Sequence, residues 1–394
     1  MEKKIVEVQA YLEEMDMDGW LLYDFQKRNS LMMEFLQIPS SSHLTRRVFY
    51  WIPRKGEPVK IVHAAEAHLF ECYRGKTLLY FQRSTLAKHL EEILQGRKRV
   101  AMEYSQKGHI PAISLVDAGT VDWIRSFGVE VVSSGGFVQA FTCVLSQWQR
   151  KTHLEAAFVL EETARATWKF LFTSLLQKKR VTEWDVRQKM EREIAKRGCE
   201  WEGPLICAVN ANSSNPHYAP TEQEHQEIRL GDWILIDLWC KQTKERSVYA
   251  DISQVGFAGT NPSSRHQEVF AAVRLAQEKA TKLVEKRFSE KKPLLGYEVD
   301  LAARSCIEKA GFGEYFIHRT GHNIYIQDHG PGTHMDSLET FDDRPVLAGT
   351  CFSIEPGIYL PGEFGVRLEY DVYVTPDLQV QISGGVQEEI LLLS

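Results

Sequence analysis

Gly365-Val366-Arg367-Leu368-Glu369-Tyr370-Asp371-Val372-Tyr373-Val374 alternates apolar and polar side chains, and the rest of the chain is read outward from it. A strand sends successive side chains to opposite faces, so Val366, Leu368, Tyr370 and Val372 share one side and Arg367, Glu369 and Asp371 the other. Three further segments carry a carboxylate at a strand boundary. Asp237 ends the apolar run Trp233-Ile234-Leu235-Ile236, the pattern of a buried strand. Asp251 opens Asp251-Ile252-Ser253-Gln254-Val255 a short loop later, and Glu355 follows Phe352-Ser353-Ile354 and is stopped by Pro356-Gly357. Four carboxylates and an imidazole aimed into one sheet would repel one another and be poorly solvated unless a cation neutralised them. The pattern is that of a metal site.

The imidazole has to come from Phe316 to His334, which holds His318, His322, His329 and His334 among Gly-rich turns. Four of the thirteen histidines within this short segment mark an active-site loop, but spacing alone does not choose the ligand. A second turn, Asn212-Ser213-Ser214-Asn215-Pro216-His217-Tyr218, precedes the Asp237 strand and places His217 across the cleft. Arg367, two residues from Glu369, either clamps a ligand or substrate carboxylate or pairs with Asp371 at the surface. Ser253, two residues after Asp251, is placed to hydrogen-bond a ligand.

A chain of 394 residues is too long for one ordinary core, so two domains are expected, 1–147 and 148–394. Charged residues are 25% and hydrophobic ones 43%, a globular mixture, and the net charge of -6 without a basic block argues against nucleic-acid or anionic-membrane partners. The N-terminus lacks the apolar core of a signal peptide, and no run of about 18 uncharged apolar residues would span a membrane. The seven cysteines are scattered, with no CxxC pair, as expected of reduced thiols in a cytoplasmic protein. Cys240 and Cys351, close to the carboxylates, are read as small buried hydrophobes.

Up to about residue 140 helical and strand patterns alternate: helix from Ile5 to Met15, strand Gly19–Tyr23, a hairpin of Arg47–Pro53 and Val59–Val62, helix Leu86–Leu94, strand Arg99–Glu103. This predicts an α/β domain with a mixed sheet and no phosphate-binding glycine loop. Helices follow from about Thr152 to Leu176 and from Glu183 to Lys196. From Trp201 onward the pattern is strand-rich, broken by helices over Ser263–Arg287 and Glu298–Ala310. The fold class is α+β.

The ordered set Ile236-Asp237-Leu238, Ala250-Asp251-Ile252, Thr320-Gly321-His322, Ile354-Glu355-Pro356-Gly357 and Val366-Arg367-Leu368-Glu369 resembles the "pita-bread" metallopeptidases, the Xaa-Pro aminopeptidases, prolidases and methionine aminopeptidases. Asp18-Gly19-Trp20-Leu21-Leu22-Tyr23 is similar to the creatinase/prolidase N-terminal domain, so the likeness covers nearly the whole chain. It implies a small α/β domain followed by a pita-bread domain with a curved antiparallel sheet. It picks His322 as the ligand, because a second histidine, His329, follows seven residues later. It further implies that Asp237 chelates one metal, that His322 and Glu355 hold the other, and that Asp251 and Glu369 bridge both. His217 and His329 would contact the scissile carbonyl, with His318 and Arg367 also toward substrate.

Two departures stand out. The aspartates are fourteen positions apart, a longer interval than the family usually shows, with Lys241-Gln242-Thr243-Lys244-Glu245-Arg246 expected to bulge at a hairpin tip. Asn323 and Tyr325 occupy positions where the family favours glycine. The ligand positions are intact, unlike those of metal-free creatinase.

An oxygen-rich set with one nitrogen suits two divalent ions, Mn2+ first, then Fe2+, Co2+ or Zn2+. Such a pair would hold water as a bridging hydroxide for attack on an Xaa-Pro bond, with Glu355 shuttling the proton. Tyr325, Tyr359 and Phe364 are candidates to line a pocket for the proline ring. The expected protein is a homodimeric exopeptidase of the Xaa-Pro aminopeptidase or dipeptidase type, acting on small peptides with proline in second place. A hydrolase of a non-peptide amide and a peptide-binding pseudoenzyme are the alternatives.

Overall fold

The early alternation of apolar segments becomes, in the computed structural model, a six-stranded mixed sheet flanked by helices; the structure describes residues 2–393. Its elements are α1 (Glu2–Glu14), β1 (Gly19–Asp24), α2 (Ser30–Leu36), β2 (Val48–Pro53), β3 (Val59–His63), β4 (Lys76–Tyr80), α3 (Arg83–Leu94), β5 (Arg99–Met102), α4 (Ala118–Arg125), β6 (Glu130–Ser133) and α5 (Gly135–Thr142). The order is β4-β3-β2-β1-β5-β6, antiparallel across β1/β2 and β2/β3 and parallel elsewhere. Strands β1 and β2 are buried along their whole length, as central strands covered on both faces must be. This unit spans Met1–Thr142 and a second spans Cys143–Ser394.

The second unit begins with α6 (Gln147–Leu176) and α7 (Glu183–Lys196), then β7 (Cys199–Glu200), β8 (Ile206–Val209), β9 (Trp233–Gln242), β10 (Ala250–Phe257), α8 (Ser264–Ser289) and α9 (Gly296–Lys309). It ends with β11 (Asn323–Ile324), β12 (Cys351–Ile354), β13 (Gly357–Leu360), β14 (Phe364–Arg367), β15 (Tyr370–Val374), β16 (Val380–Ser383) and β17 (Leu391–Leu392). Helix α6 starts at Gln147 rather than Thr152. Ser146 caps it, its Oγ accepting from Gln149 N–H at 3.2 Å while Gln149 Oε1 accepts from Ser146 N–H at 3.1 Å. Of the stretch expected to bulge after Asp237, only Lys241 and Gln242 are strand, paired with Glu200 and Cys199, and the hairpin turn begins at Thr243.

Strands β9 and β10 form a long antiparallel hairpin whose two faces go to two cores. Ile234, Ile236, Leu238 and Ile252 pack toward α6 and α7, whereas Trp233, Leu235 and Val255 join the core of α8, α9 and the later strands. Asp237 lies on the second face, opposite Ser253. The 365–374 stretch is not one strand, as its alternation suggests. It changes partner at Glu369: β14 pairs with β13, β15 pairs with β12 and β16, and Glu369 N–H donates to Ser253 O at 3.2 Å. The alternation survives the break, with Val366, Leu368, Tyr370, Val372 and Val374 all in the core of α8 and α9. Buried Gln277 of α8 holds the junction, its Nε2 donating to Ile354 O at 3.1 Å and Leu368 O at 2.9 Å, the carbonyls before Glu355 and Glu369. Among the described residues no helix is long and apolar enough to cross a membrane.

Candidate metal centre and cleft

Period two along β9 and β10 aims Asp237, Ser253 and Asp251 into one space. The backbone bridge between Ser253 and Glu369 brings in the fourth segment, and β12 delivers Glu355 just past its end. His322 arrives because Gly321 threads against β12: a Cβ there would meet the Ser353 carbonyl oxygen at 1.9 Å. Ser353 Oγ accepts from His322 N–H at 3.0 Å and donates to Glu355 Oε1 at 3.0 Å, fixing the two together. His322 Nε2 stands 3.3 Å from Glu355 Oε1 and 3.9 Å from Asp251 Oδ2. One ligand atom each from Asp251, His322 and Glu369 lie within 4.8 Å of one another.

The donors around these acids are too few. Ser253 Oγ accepts from Arg367 Nε at 2.9 Å, and its single proton serves either Asp237 Oδ1 at 2.8 Å or Glu369 Oε2 at 2.9 Å. Asp251 Oδ1 and Glu369 Oε1 are buried and accept no hydrogen bond from the described residues. Burial, and then repulsion from neighbouring carboxylates, pushes Asp251 and Glu369 well above the usual carboxylate range. Burial lifts Glu355 to about 7 against the pull of Arg367 and Arg319. Unsatisfied oxygens beside a buried imidazole are the donor set of a hard or borderline divalent cation, so the residues present fit metal.

Arg367 is not at the surface and does not pair with Asp371. It is 5% exposed and ion-paired to Asp237, and its Nη1 donates to Tyr359 OH at 2.9 Å and Pro216 O at 3.3 Å. Asp371 instead accepts from Asp251 N–H at 2.9 Å, behind that candidate ligand.

The acids form the floor of a cleft of about 400 Å³ whose wall includes His217, His318 and His329. His318 has no free nitrogen to offer: Nε2 accepts from Tyr359 OH at 2.8 Å and Nδ1 donates to Arg319 O at 2.7 Å. Burial and then Arg367 hold its pKa down to about 3. His334 is buried and accepts from Asn323 N–H at 3.2 Å, a structural role.

Tyr325, Tyr359 and Phe364 do not line the cleft. Tyr325 packs with Val248, Tyr249 and Cys351, Phe364 stands by Trp233 and His266, and Tyr359 lies behind Arg367. The apolar wall is Ile206, Pro216 and Trp239. Trp239 was findable, since period two from Asp237 puts it on the same face opposite Asp251. Asp328, Arg319 and Glu339 also line the cleft and lie outside the ligand pattern. Only the adjacency of Asp328 to His329 hinted at it.

The departures from glycine do not reach the cleft. Asn323 Nδ2 donates to Cys351 O at 2.9 Å, and its Oδ1 accepts from Gly332 N–H at 2.9 Å. Asn323 thus ties the histidine loop to β12, with the Cβ position of Gly332 only 2.6 Å from its Cγ.

Several known proteins are similar to this chain. The Xaa-Pro dipeptidase of Lactobacillus helveticus is 38% identical over 173 residues, 44% of this chain and 42% of that enzyme. The putative dipeptidase YkvY of Bacillus subtilis is 31% identical over 220 residues, 54% of each. The matched part is thus about half the length of these relatives. The fold of dipeptidase PepE from Mycobacterium ulcerans superposes with a TM-score of 0.74 at 21% identity, over 100% of this chain and 97% of that one. The pattern of one family fits residues 155–376, more than half of the chain and all five candidate ligands, so this protein belongs to metallopeptidase family M24.

Proposed function

We propose that the protein hydrolyses Xaa-Pro peptide bonds with the help of two divalent metal ions, manganese first among them. The observation that carries this reading is the pair of buried, unsatisfied carboxylate oxygens on Asp251 and Glu369 beside His322, on the floor of an open cleft. Asp237, Asp251, His322, Glu355 and Glu369 would hold the ions. When bound, such ions polarise a carbonyl and acidify water.

The chain's own residues supply the rest. Glu355, held by Ser353, takes the proton of the attacking water and returns it to the departing nitrogen. Proline makes that return decisive, because its nitrogen leaves only once protonated. His329 and His217 face the scissile carbonyl from the cleft wall, and His329 donates to the oxyanion. Arg367 holds Asp237 in place through its ion pair. Ile206, Pro216 and Trp239 give the proline ring an apolar wall.

The name of the Lactobacillus helveticus relative supports Xaa-Pro bonds as the target. The glycine departures lend no support to a non-peptide amide, since Asn323 and Tyr325 point away from the cleft. The test is hydrolysis, with added manganese, of an Xaa-Pro dipeptide, an Xaa-Pro-Yaa tripeptide and a proline-free control. Cleavage of the dipeptide alone makes the enzyme a dipeptidase, and cleavage of the tripeptide makes it an aminopeptidase. Two metals bound with no cleavage of any peptide would overturn the reading.

A further inference from the structure

The histidine expected to meet the oxyanion is hydrogen-bonded by an arginine that also lines the cleft. Arg319 Nη2 lies 2.9 Å from His329 Nδ1. A guanidinium offers N–H donors and no lone pair, so this contact has one direction: Arg319 donates and Nδ1 accepts. A neutral imidazole carries a single ring proton, and with Nδ1 accepting, that proton sits on Nε2.

Two neighbours complete the geometry. The His329 ring stacks on His322, centroids 3.9 Å apart at 28°, which sets its plane. Flipping the ring within that plane would turn a carbon toward the guanidinium and lose the bond. On the other side, Nε2 is not consumed, because Asp328 Oδ2 is 3.7 Å away, beyond hydrogen-bond range. Arg319 is itself anchored at its carbonyl, which accepts from His318, and His318 is tied through Tyr359 to Arg367.

We propose that Arg319 is a positioning residue that locks His329 in its Nε2–H tautomer, so that the ring presents a donor rather than a lone pair to the cleft. Its consequence for catalysis rests on the Xaa-Pro peptidase reading above; the tautomer itself does not. With a lone pair at Nε2 the ring would repel the developing oxyanion, whereas a preorganised N–H stabilises it.

The experiment is ¹⁵N NMR of histidine-labelled, zinc-loaded enzyme, with the His329 signals assigned by their loss in His329→Gln. In the natural protein Nε2 should carry the proton and Nδ1 should resonate as an unprotonated ring nitrogen. A proton on Nδ1, or a doubly protonated ring, would overturn the proposal. Arg319→Met should shift His329 to a mixture of tautomers and lower kcat about 10- to 100-fold with KM little changed. Arg319→Lys, which keeps a donor, should recover much of that loss. In the His329→Gln background, Arg319→Met should cost almost nothing more. A full further loss there, or a rise in KM in both backgrounds, would mean that Arg319 acts on substrate directly, and would sink the idea. Should the natural enzyme cleave no peptide, the peptidase reading fails, and the tautomer measured in the same sample still decides the assignment.

Discussion

Two carboxylates buried in different units, Glu103 and Asp251, are surrounded in opposite ways. Glu103 is wholly buried, and both of its oxygens accept: Oε1 from Trp20 Nε1 at 2.6 Å and Ser134 Oγ at 3.1 Å, Oε2 from Asn29 Nδ2 at 2.7 Å. Asp251 is 5% exposed, and its Oδ1 accepts from none of the described residues. The contrast is not between units, because Glu183, in the same unit as Asp251, is as well supplied as Glu103. It accepts from Val209 N–H at 2.7 Å, Tyr218 OH at 2.6 Å and Gln226 N–H at 2.7 Å. A buried acid that holds a fold together is given donors. One left short of donors is waiting for something the chain does not encode, and here that is a cation.

The contrast is broken or sharpened most strongly at Asp251. Asp251→Asn should lower kcat at least 1,000-fold, about 4 kcal/mol of barrier, and weaken metal binding. The metal-free chain should respond in the opposite sense and melt higher than the metal-free natural protein. The substitution replaces a carboxyl whose ionised form burial and the neighbouring acids disfavour with a neutral amide. Calorimetry of both chelated proteins checks this, and a lower melting temperature for the variant would show that Asp251 is structural like Glu103.

Glu103 gives the mirror-image test. Burial raises its carboxyl from 4.5 to about 7, opposed by the three side-chain donors. The folded state therefore holds the proton more tightly than the unfolded one. The stability it confers is complete below pH 4.5, declines as pH rises toward 7, and is gone above that, a loss of roughly 3 kcal/mol. Glu103→Gln should flatten that decline. Unfolding curves of the two proteins at pH 5 and pH 8 measure it, and parallel pH profiles would refute the assignment.

How much of this was legible beforehand follows the same line. The candidate carboxylates stood out through the strand patterns around them, His322 was singled out only by the family resemblance, and the mixed sheet followed from alternating helix and strand patterns. The supporting shell was not. Gln277 lies mid-helix, and only the folded chain reveals that it clamps the carbonyls before Glu355 and Glu369. Tyr359 looked like a pocket wall because aromatic residues often are one, yet its hydroxyl is consumed between Arg367 and His318. The break at Glu369 was hidden for a different reason: a strand that changes sheets keeps its alternation, so its pattern shows no seam.

Arg367 shows what the supply of donors around a candidate ligand is worth. Its guanidinium serves Asp237, Ser253 and Tyr359 at once, a geometry that one ammonium cannot reproduce. Arg367→Lys should keep the charge and still weaken metal binding or kcat about 10- to 100-fold. Metal titration followed by turnover at saturating metal separates the two effects. An unchanged enzyme would mean that charge alone suffices and that the fork is incidental.

The smallest effect is expected at Asn323, and it tests whether a departure at a family glycine position touches function at all. Its side chain satisfies the Gly332 N–H and the Cys351 carbonyl, both away from the cleft. Asn323→Ala removes both hydrogen bonds and strips the buried Gly332 N–H of its acceptor, which should cost about 2 kcal/mol of stability. Because the cleft wall is untouched, the ratio of kcat/KM between an Xaa-Pro dipeptide and a tripeptide should stay constant. A changed ratio at unchanged stability would show that Asn323 shapes the pocket, and would place it with the acids of the floor rather than with Glu103. A changed stability at unchanged ratio puts it with the residues that only hold the loop.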